Sequence, residues 1–449
     1  MTMLQTPPQT QIRWTPPQPR LPMVPQPAHR RRRRWLRRTL RTFLVLFLAF
    51  AVVTGYSIAG ALRAPGTDSA KARLAGWARD HGGTPLVNWL ERVTYKPPKV
   101  GGAPEEGIVV QQAGDRPADT SPWPAPFVVS GSLTPVPKLV YSYDPYYPAG
   151  GERFPDAIPL KPDPPPPPKP KGPQPLPEPP AIEPFATNLL PDEGQWQTLQ
   201  SSGGKPVLRA AYLRADNVYT SYLAAVAWMD TRLLQFELRP GAGEPGGGPW
   251  QASASIPPGE RSDVVAAFNS GFRMADTRGG FYLGGRTSGT MREGAATLGF
   301  YNDGSVKLGQ WGSDVQLGPD LWAARQNLDL IVEDGKVNWK IDDNSSNRWG
   351  ATIGNELYVW RSGVGITANG ALLYASGPRL SAGSLARLLI RAGAVRAMQM
   401  DINTTWTIFI HFTEGADGAK LLPQMNRPVT TYDTTSSRDF IVAKVRPPV

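Results

Sequence analysis

The stretch SAGSLARLLIRAGAVRAMQMD, Ser381 to Asp401, decides how the chain is read. In its first half Leu385, Leu388, Leu389 and Ala392 fall at i, i+3, i+4 and i+7, the spacing of one apolar helix face, and Gly393 stands where such a helix ends. Its second half is an apolar run of strand length that leads directly into Asp401. Polar Asn403, Thr404 and Thr405 follow before Trp406 resumes an apolar run. A helix–strand unit therefore delivers one aspartate on rigid support.

The surroundings of this unit read as short strands separated by turns. LGFYNDGSVKLGQW (298–311) predicts a hairpin turning at Asn302-Asp303-Gly304. LDLIVEDGKVNWKI (328–341) turns at Asp334-Gly335 and VGITANGALLYA (364–375) at Asn369-Gly370. A further strand pair is expected around 221–241. The fold class is α+β: a sheet-dominated domain with few helices, over residues 185–449, preceded by one transmembrane helix and a Pro-rich linker.

The rest of the 449 residues is organised by composition. Residues 1–41 hold ten arginines and no Asp, Glu or Lys, so this tail carries +10 of the formal +11. A nucleic-acid partner needs a basic face on a folded domain, and none is indicated. Residues 42–62 (TFLVLFLAFAVVTGYSIAGAL) contain no charge in 21 positions. As a helix that run is roughly 31 Å long, enough to span a bilayer as a signal-anchor. The arginines place the N-terminus in the cytoplasm and the C-terminal domain outside. A cleaved signal peptide is the rival reading, with Ala59-Gly60-Ala61 as its cleavage site. Residues 63–96 predict one or two juxtamembrane helices broken at Gly82-Gly83, lying near the membrane surface or forming a stalk. Residues 97–184 form the linker, with twelve prolines among the twenty residues 161–180. In polyproline II that run is a spacer of roughly 60 Å.

The chain has no cysteine and three histidines, His29, His81 and His411, which removes thiolate chemistry and leaves no room for a histidine cluster. No HExxH or G-x-S-x-G occurs. No cofactor or metal is indicated; a divalent ion would need oxygen ligands and so be calcium or magnesium. What remains is carboxylate, amide and guanidinium chemistry. VVAAFNSGF (264–272) is an apolar run ending in Asn269, followed by Gly271. ELYVWRSGVG (356–365) ends in Arg361, followed by Gly363 and Gly365. Each polar residue alone could simply cap a strand; three together at strand ends, two beside glycines that let a ligand approach, suggest a site. Arg286 and Arg292, in the Gly-rich stretch 279–300, are further candidates for binding.

In order and spacing, AAFNSGF, GGFYLGGR, LGFYNDGSV, WRSGVGITANGALLYA and SLARLLIRAGAVRAMQMD resemble the phosphodiester glycosidase family, in a membrane-anchored bacterial branch. The resemblance covers roughly residues 205–445 and implies hydrolysis of a sugar-1-phosphodiester at the anomeric carbon. It maps the family's Asn-Gly-Gly-Phe onto Asn269–Phe272, its strand arginine and glycine onto Arg361 and Gly365, and its aspartate onto Asp401. The glycine-rich run that follows the family's aspartate is replaced here by Ile402-Asn403-Thr404-Thr405. On this reading Asp401 stabilises or attacks the anomeric carbon, Arg361, with Arg286 beside it, grips phosphate, and Asn269 orients the sugar. Gly271, Arg292, Gly365, Asn403 and Thr404 line the substrate. A second carboxylate is expected among Asp303, Glu333, Asp334, Asp342 and Asp343. The partners implied are a glycan or sugar-phosphate substrate and, through residues 42–62, a membrane. The alternative is a non-catalytic cell-wall module that binds phosphate-linked glycans.

Overall fold

The computed structural model describes residues 28–104, 114–116, 174–343, 348–352, 356–413 and 418–446. The proline-rich run expected over the linker lies largely outside them. The chain divides into two compact units, Met1–Gly60 and Ala61–Val449. In the first, the described residues form helix throughout; the helix spans Ala28–Arg63 and its segment Arg37–Arg63 is long and apolar enough to cross a membrane.

The second unit is dominated by three sheets. The largest has nine strands in the order 114–116, 197–202, 205–214, 223–229, 372–380, 359–367, 394–402, 330–333 and 336–337. All its neighbours are antiparallel except the first pair. One five-stranded sheet runs 306–310, 296–301, 321–326, 281–283, 286–288, and the other 419–420, 409–411, 264–269, 440–445, 234–239.

The strand Ala394–Ile402 explains the layering. Met398 and Met400 enter the same core as Phe268, Phe409 and Phe440 of the second small sheet and Phe281 and Phe300 of the first. Ala397, pointing the other way, meets Leu385, Leu388 and Leu389 of the helix Ala382–Arg391. Both faces of this strand are covered, which is why its sequence is an apolar run and not an alternation. The helix starts at a reciprocal cap: Ser384 N donates to Ser381 Oγ at 3.0 Å and Ser381 N to Ser384 Oγ at 2.8 Å. Gly393, at φ 99°, turns the chain into the strand.

One expected boundary lies earlier in the chain. The folded domain begins before residue 185, because Leu176 and Ile182 are buried in its core and Leu176 N donates to Asp230 Oδ2 at 2.7 Å. The helices Ala70–Asp80 and Thr84–Thr94, expected near the membrane surface or as a stalk, lead into contacts with the domain. Arg273 pairs with Asp80 at 2.7 Å, and Tyr95 OH donates to Tyr358 O at 3.1 Å.

The glycines of the central strand Val359–Thr367 serve this packing. A Cβ on Gly365 would lie 2.8 Å from the Ala394 Cβ and 3.4 Å from a Leu389 methyl. Gly365→Ala is therefore expected to destabilise the domain by about 1–3 kcal/mol, read as a lower denaturant midpoint at unchanged m-value.

Candidate active site

Asp401 stands where three layers meet. Its backbone N donates to Ser270 O at 2.9 Å, and its carbonyl accepts from Ser362 Oγ at 2.6 Å. The carboxylate is 8% exposed; Oδ1 accepts from Ile402 N at 2.9 Å and Oδ2 from Arg438 Nη2 at 2.7 Å. Burial raises its pKa to about 6, against the opposing pull of the Arg438 charge and the Ile402 amide; Asp439 and Asp276 push it further up.

Asn269 forms the node behind it. Its Oδ1 accepts from Tyr374 OH at 2.8 Å and Ile408 N at 3.0 Å. Its Nδ2 donates to Ser362 Oγ at 3.0 Å and Ser270 O at 3.1 Å. An amide offers two donors and two acceptor lone pairs, and all are used inside the protein. The amide expected to orient a sugar meets protein groups on both its oxygen and its nitrogen, and Ser362 links it to the Asp401 backbone.

Arg361 is likewise consumed. The guanidinium, 1% exposed, donates to the Leu380, Trp349 and Leu357 carbonyls at 2.9, 3.4 and 3.2 Å and to Gln399 Oε1 at 2.7 Å. Burial without a carboxylate lowers its pKa to about 10. It ties two neighbouring strands of the large sheet to the loop at Trp349 and spends four of its five N–H donors on protein acceptors.

The guanidinium at Asp401 belongs to Arg438, which precedes the strand Phe440–Val445. Its neighbour Asp439 pairs with Arg325 at 2.8 Å, both side chains fully buried. Arg325 also donates to Gln326 O at 2.6 Å and to Phe272 O. Gly271 is accounted for by this arginine, since a Cβ there would lie 3.2 Å from the Arg325 Cζ, while its carbonyl accepts from Arg438 at 3.2 Å. Trp406 completes the wall: the Arg438 Cζ lies 4.7 Å and the Arg427 Cζ 5.4 Å from its ring centre.

Asn403 gives the departure from the family's glycines a physical reading. Its φ is 72°, in the left-handed region that glycine supplies freely and asparagine tolerates best among the other residues. Asn403 N donates to Trp360 O at 2.8 Å, and its carbonyl accepts from the Trp406 and Thr407 amides, each at 3.2 Å. The turn after Asp401 thus keeps its course without glycine. Its Oδ1 is buried with no partner among the described residues, and Thr404 beside it is exposed.

Residues 262–431 match the phosphodiester glycosidase family. That span shares its sequence pattern with phosphodiester glycosidases. It includes Asn269, Asp401, Trp406 and Arg427, whereas Arg438 and Asp439 lie beyond it. Among solved structures, the catalytic domain of zebrafish N-acetylglucosamine-1-phosphodiester α-N-acetylglucosaminidase overlays with a TM-score of 0.37 at 13% identity, covering 54% of this chain and 85% of that one. A hypothetical protein from Synechocystis gives 0.37 at 12% identity, covering 57% and 65%. Neither overlay is close enough to carry residue correspondences. None of the curated proteins compared matches the chain.

The remaining expected site residues stand elsewhere. Arg286 is exposed, donating to Gly247 O at 2.8 Å and to Pro249 O over the Trp250 ring. The Arg292 backbone pairs with the Gln326 amide, at 2.7 and 3.0 Å. Glu333 accepts from Gln310 Nε2 at 2.7 Å, and Asp303 caps its own turn at Ser305. The carboxylates whose charge reaches Asp401 are instead Asp439 and Asp276. Among the described residues no three of His, Asp and Glu gather as a metal-ligand group. His411, which burial lowers to about pKa 4, is a strand residue.

The residues around Asp401 that the sequence did not single out are Arg438, Asp439, Arg325, Trp406 and Arg427. Arg438 and Asp439 precede an apolar run, FIVAKV, and do not end one. A search for polar groups at the C-terminal ends of strands passes over them.

Because the folded carboxyl of Asp401 titrates above the unfolded value of about 3.9, its contribution to stability is full below that pH and is lost as pH rises through about 6. Arg438 offsets part of that loss. Arg438→Gln is expected to cost about 3–5 kcal/mol at pH 8, where it leaves a buried uncompensated carboxylate, and far less near pH 4.5, where Asp401 is protonated. Urea titrations at the two pH values measure the difference.

Proposed function

We propose that the domain hydrolyses a sugar-1-phosphodiester in an envelope or extracellular glycan, with Asp401 acting at the anomeric carbon. The observation that carries this reading is a buried carboxylate, braced through its backbone by Ser270 and Ser362 and paired to Arg438, inside a span that matches the phosphodiester glycosidase family. A phosphomonoester is already a good leaving group, so the barrier lies mainly in the positive charge that develops at C1. A preorganised carboxylate in a site of low dielectric stabilises that charge well. The C1–O bond breaks with its electron pair going to the phosphate oxygen. Water supplies the hydroxyl to C1, directly or after a glycosyl-Asp401 ester, and its proton leaves to solvent.

The working form of Asp401 on this mechanism is the anion. The apolar segment Arg37–Arg63 would hold the domain at the outer face of a membrane, with the arginine-rich tail in the cytoplasm.

The full chain in detergent micelles, offered a panel of sugar-1-phosphodiesters, should release reducing sugar. Asp401→Asn should lower kcat/KM by about 10²–10³-fold or more. The wild-type kcat/KM should rise with pH through about 6 as the carboxyl ionises. A profile that falls through that range would make Asp401 a general acid. Saturable binding of the diesters without release would leave a glycan-phosphate binding module in place of an enzyme.

A further inference from the structure

Hydrolysis at C1 puts the phosphorus one bridging oxygen away from the reacting carbon, so the group that holds the phosphate must adjoin Asp401. Arg361 is poorly placed for this, being 1% exposed with four of its five N–H donors on protein acceptors. Arg438 does adjoin Asp401, and Arg427 shares the Trp406 ring with it. Both arginines are largely buried, at 7% and 9% exposure as whole residues, and the Nε of each finds no acceptor among the described residues. Two buried guanidiniums on one indole, each with a donor unused, are built to receive an anion.

One anion is already there, and it comes from far along the chain. Arg427 Nη2 donates to Asp68 Oδ1 at 2.7 Å and to Thr67 Oγ1 at 3.0 Å, and Ser437 Oγ donates to Asp68 Oδ2. The Asp68 side chain is only 7% exposed. The segment is closely seated: a Cβ on Gly66, at φ 118°, would lie 3.0 Å from Ser437 N. Asp68 lies in the short stretch between the helix Ala28–Arg63 and the helix Ala70–Asp80, outside the matched span.

We propose that Arg427 and Arg438, held on Trp406, form the subsite for the phosphodiester group, and that Asp68 is an internal anion that fills the Arg427 half until the phosphate displaces it. The charge balance supports the exchange. The cluster comprises three Arg–Asp pairs, Arg438–Asp401, Arg325–Asp439 and Arg427–Asp68. A phosphodiester brings one further negative charge into this buried, balanced group. Withdrawal of Asp68 to solvent cancels that addition, whereas Asp401 and Asp439 are held on strand ends inside the core. Only the stretch around Asp68 has to move. The helix behind it remains tied through Asp80 to Arg273.

The identity of the anion as a phosphodiester rests on the function proposed above, but the test reads binding and not turnover. Inorganic phosphate is titrated calorimetrically into the full chain in micelles, with chloride at matched ionic strength as the reference. Asp68→Asn should tighten phosphate binding by about tenfold, the equivalent of one well-placed charge-assisted contact. It should also lower the melting temperature without phosphate and restore it with phosphate, since the anion then replaces the lost partner of Arg427. Arg427→Gln and Arg438→Gln should each abolish the binding. If either fails to fold, Arg427→Lys, which keeps the charge but not the planar fork, should bind phosphate more weakly than wild type while melting cooperatively. The proposal is overturned if Asp68→Asn leaves phosphate affinity unchanged, if it raises chloride affinity equally, or if folded Arg427 variants bind phosphate as wild type does. A chain that hydrolyses no diester but shows this pattern loses the enzymatic reading and keeps the anion site.

Discussion

Four hydrogen bonds on one amide hold the candidate site together. Asn269 ends a strand of a small sheet, yet its side chain reaches Tyr374 and Ser362 on two strands of the large sheet and the backbone at Ile408. Loss of such a group would leave several buried donors and acceptors unpaired, each costing about 1–3 kcal/mol. The pleat and spacing of the two sheets set where the layers can meet; the amide sets their register at that point. Asp401 inherits its position from this node, one hydroxyl away through Ser362.

Around that neutral node the charges are arranged in pairs. Arg325–Asp439 lies fully buried, and Arg438–Asp401 and Arg427–Asp68 lie towards Trp406. Buried pairs of this kind contribute little net stability compared with apolar substitutes, because desolvation offsets most of the attraction. Their value is positional. A carboxylate held ionisable near neutrality beside a guanidinium with spare donors is chemically useful where a leucine would be inert.

Much of the layer structure was legible because it depends on local pattern. The apolar residues at i, i+3, i+4 and i+7 and the unbroken apolar strand act within about twenty residues, and each predicted the element that forms. The place of Asp401 at the end of that strand was legible for the same reason. The partners of Asp401 were not, because they are joined by tertiary geometry alone. Arg438 comes from a polar loop without periodicity, and Asp68 from a segment that reads as a membrane-proximal connector. Arg361 and Asn269 show what the pattern alone leaves open. A polar residue at the end of an apolar run can as well be the knot that ties two layers as the group that meets a ligand, and sequence spacing does not tell which.

The strand Phe440–Val445 lies between 234–239 and 264–269 in its sheet, although it follows both by most of the domain's length. Pairing across so long a stretch of chain carries a loop-closure cost that local contacts do not. Arg438 and Asp439 precede this strand directly, so the charge cluster depends on the same long-range pairing that completes the core. The candidate site and the core of the domain therefore share a strand.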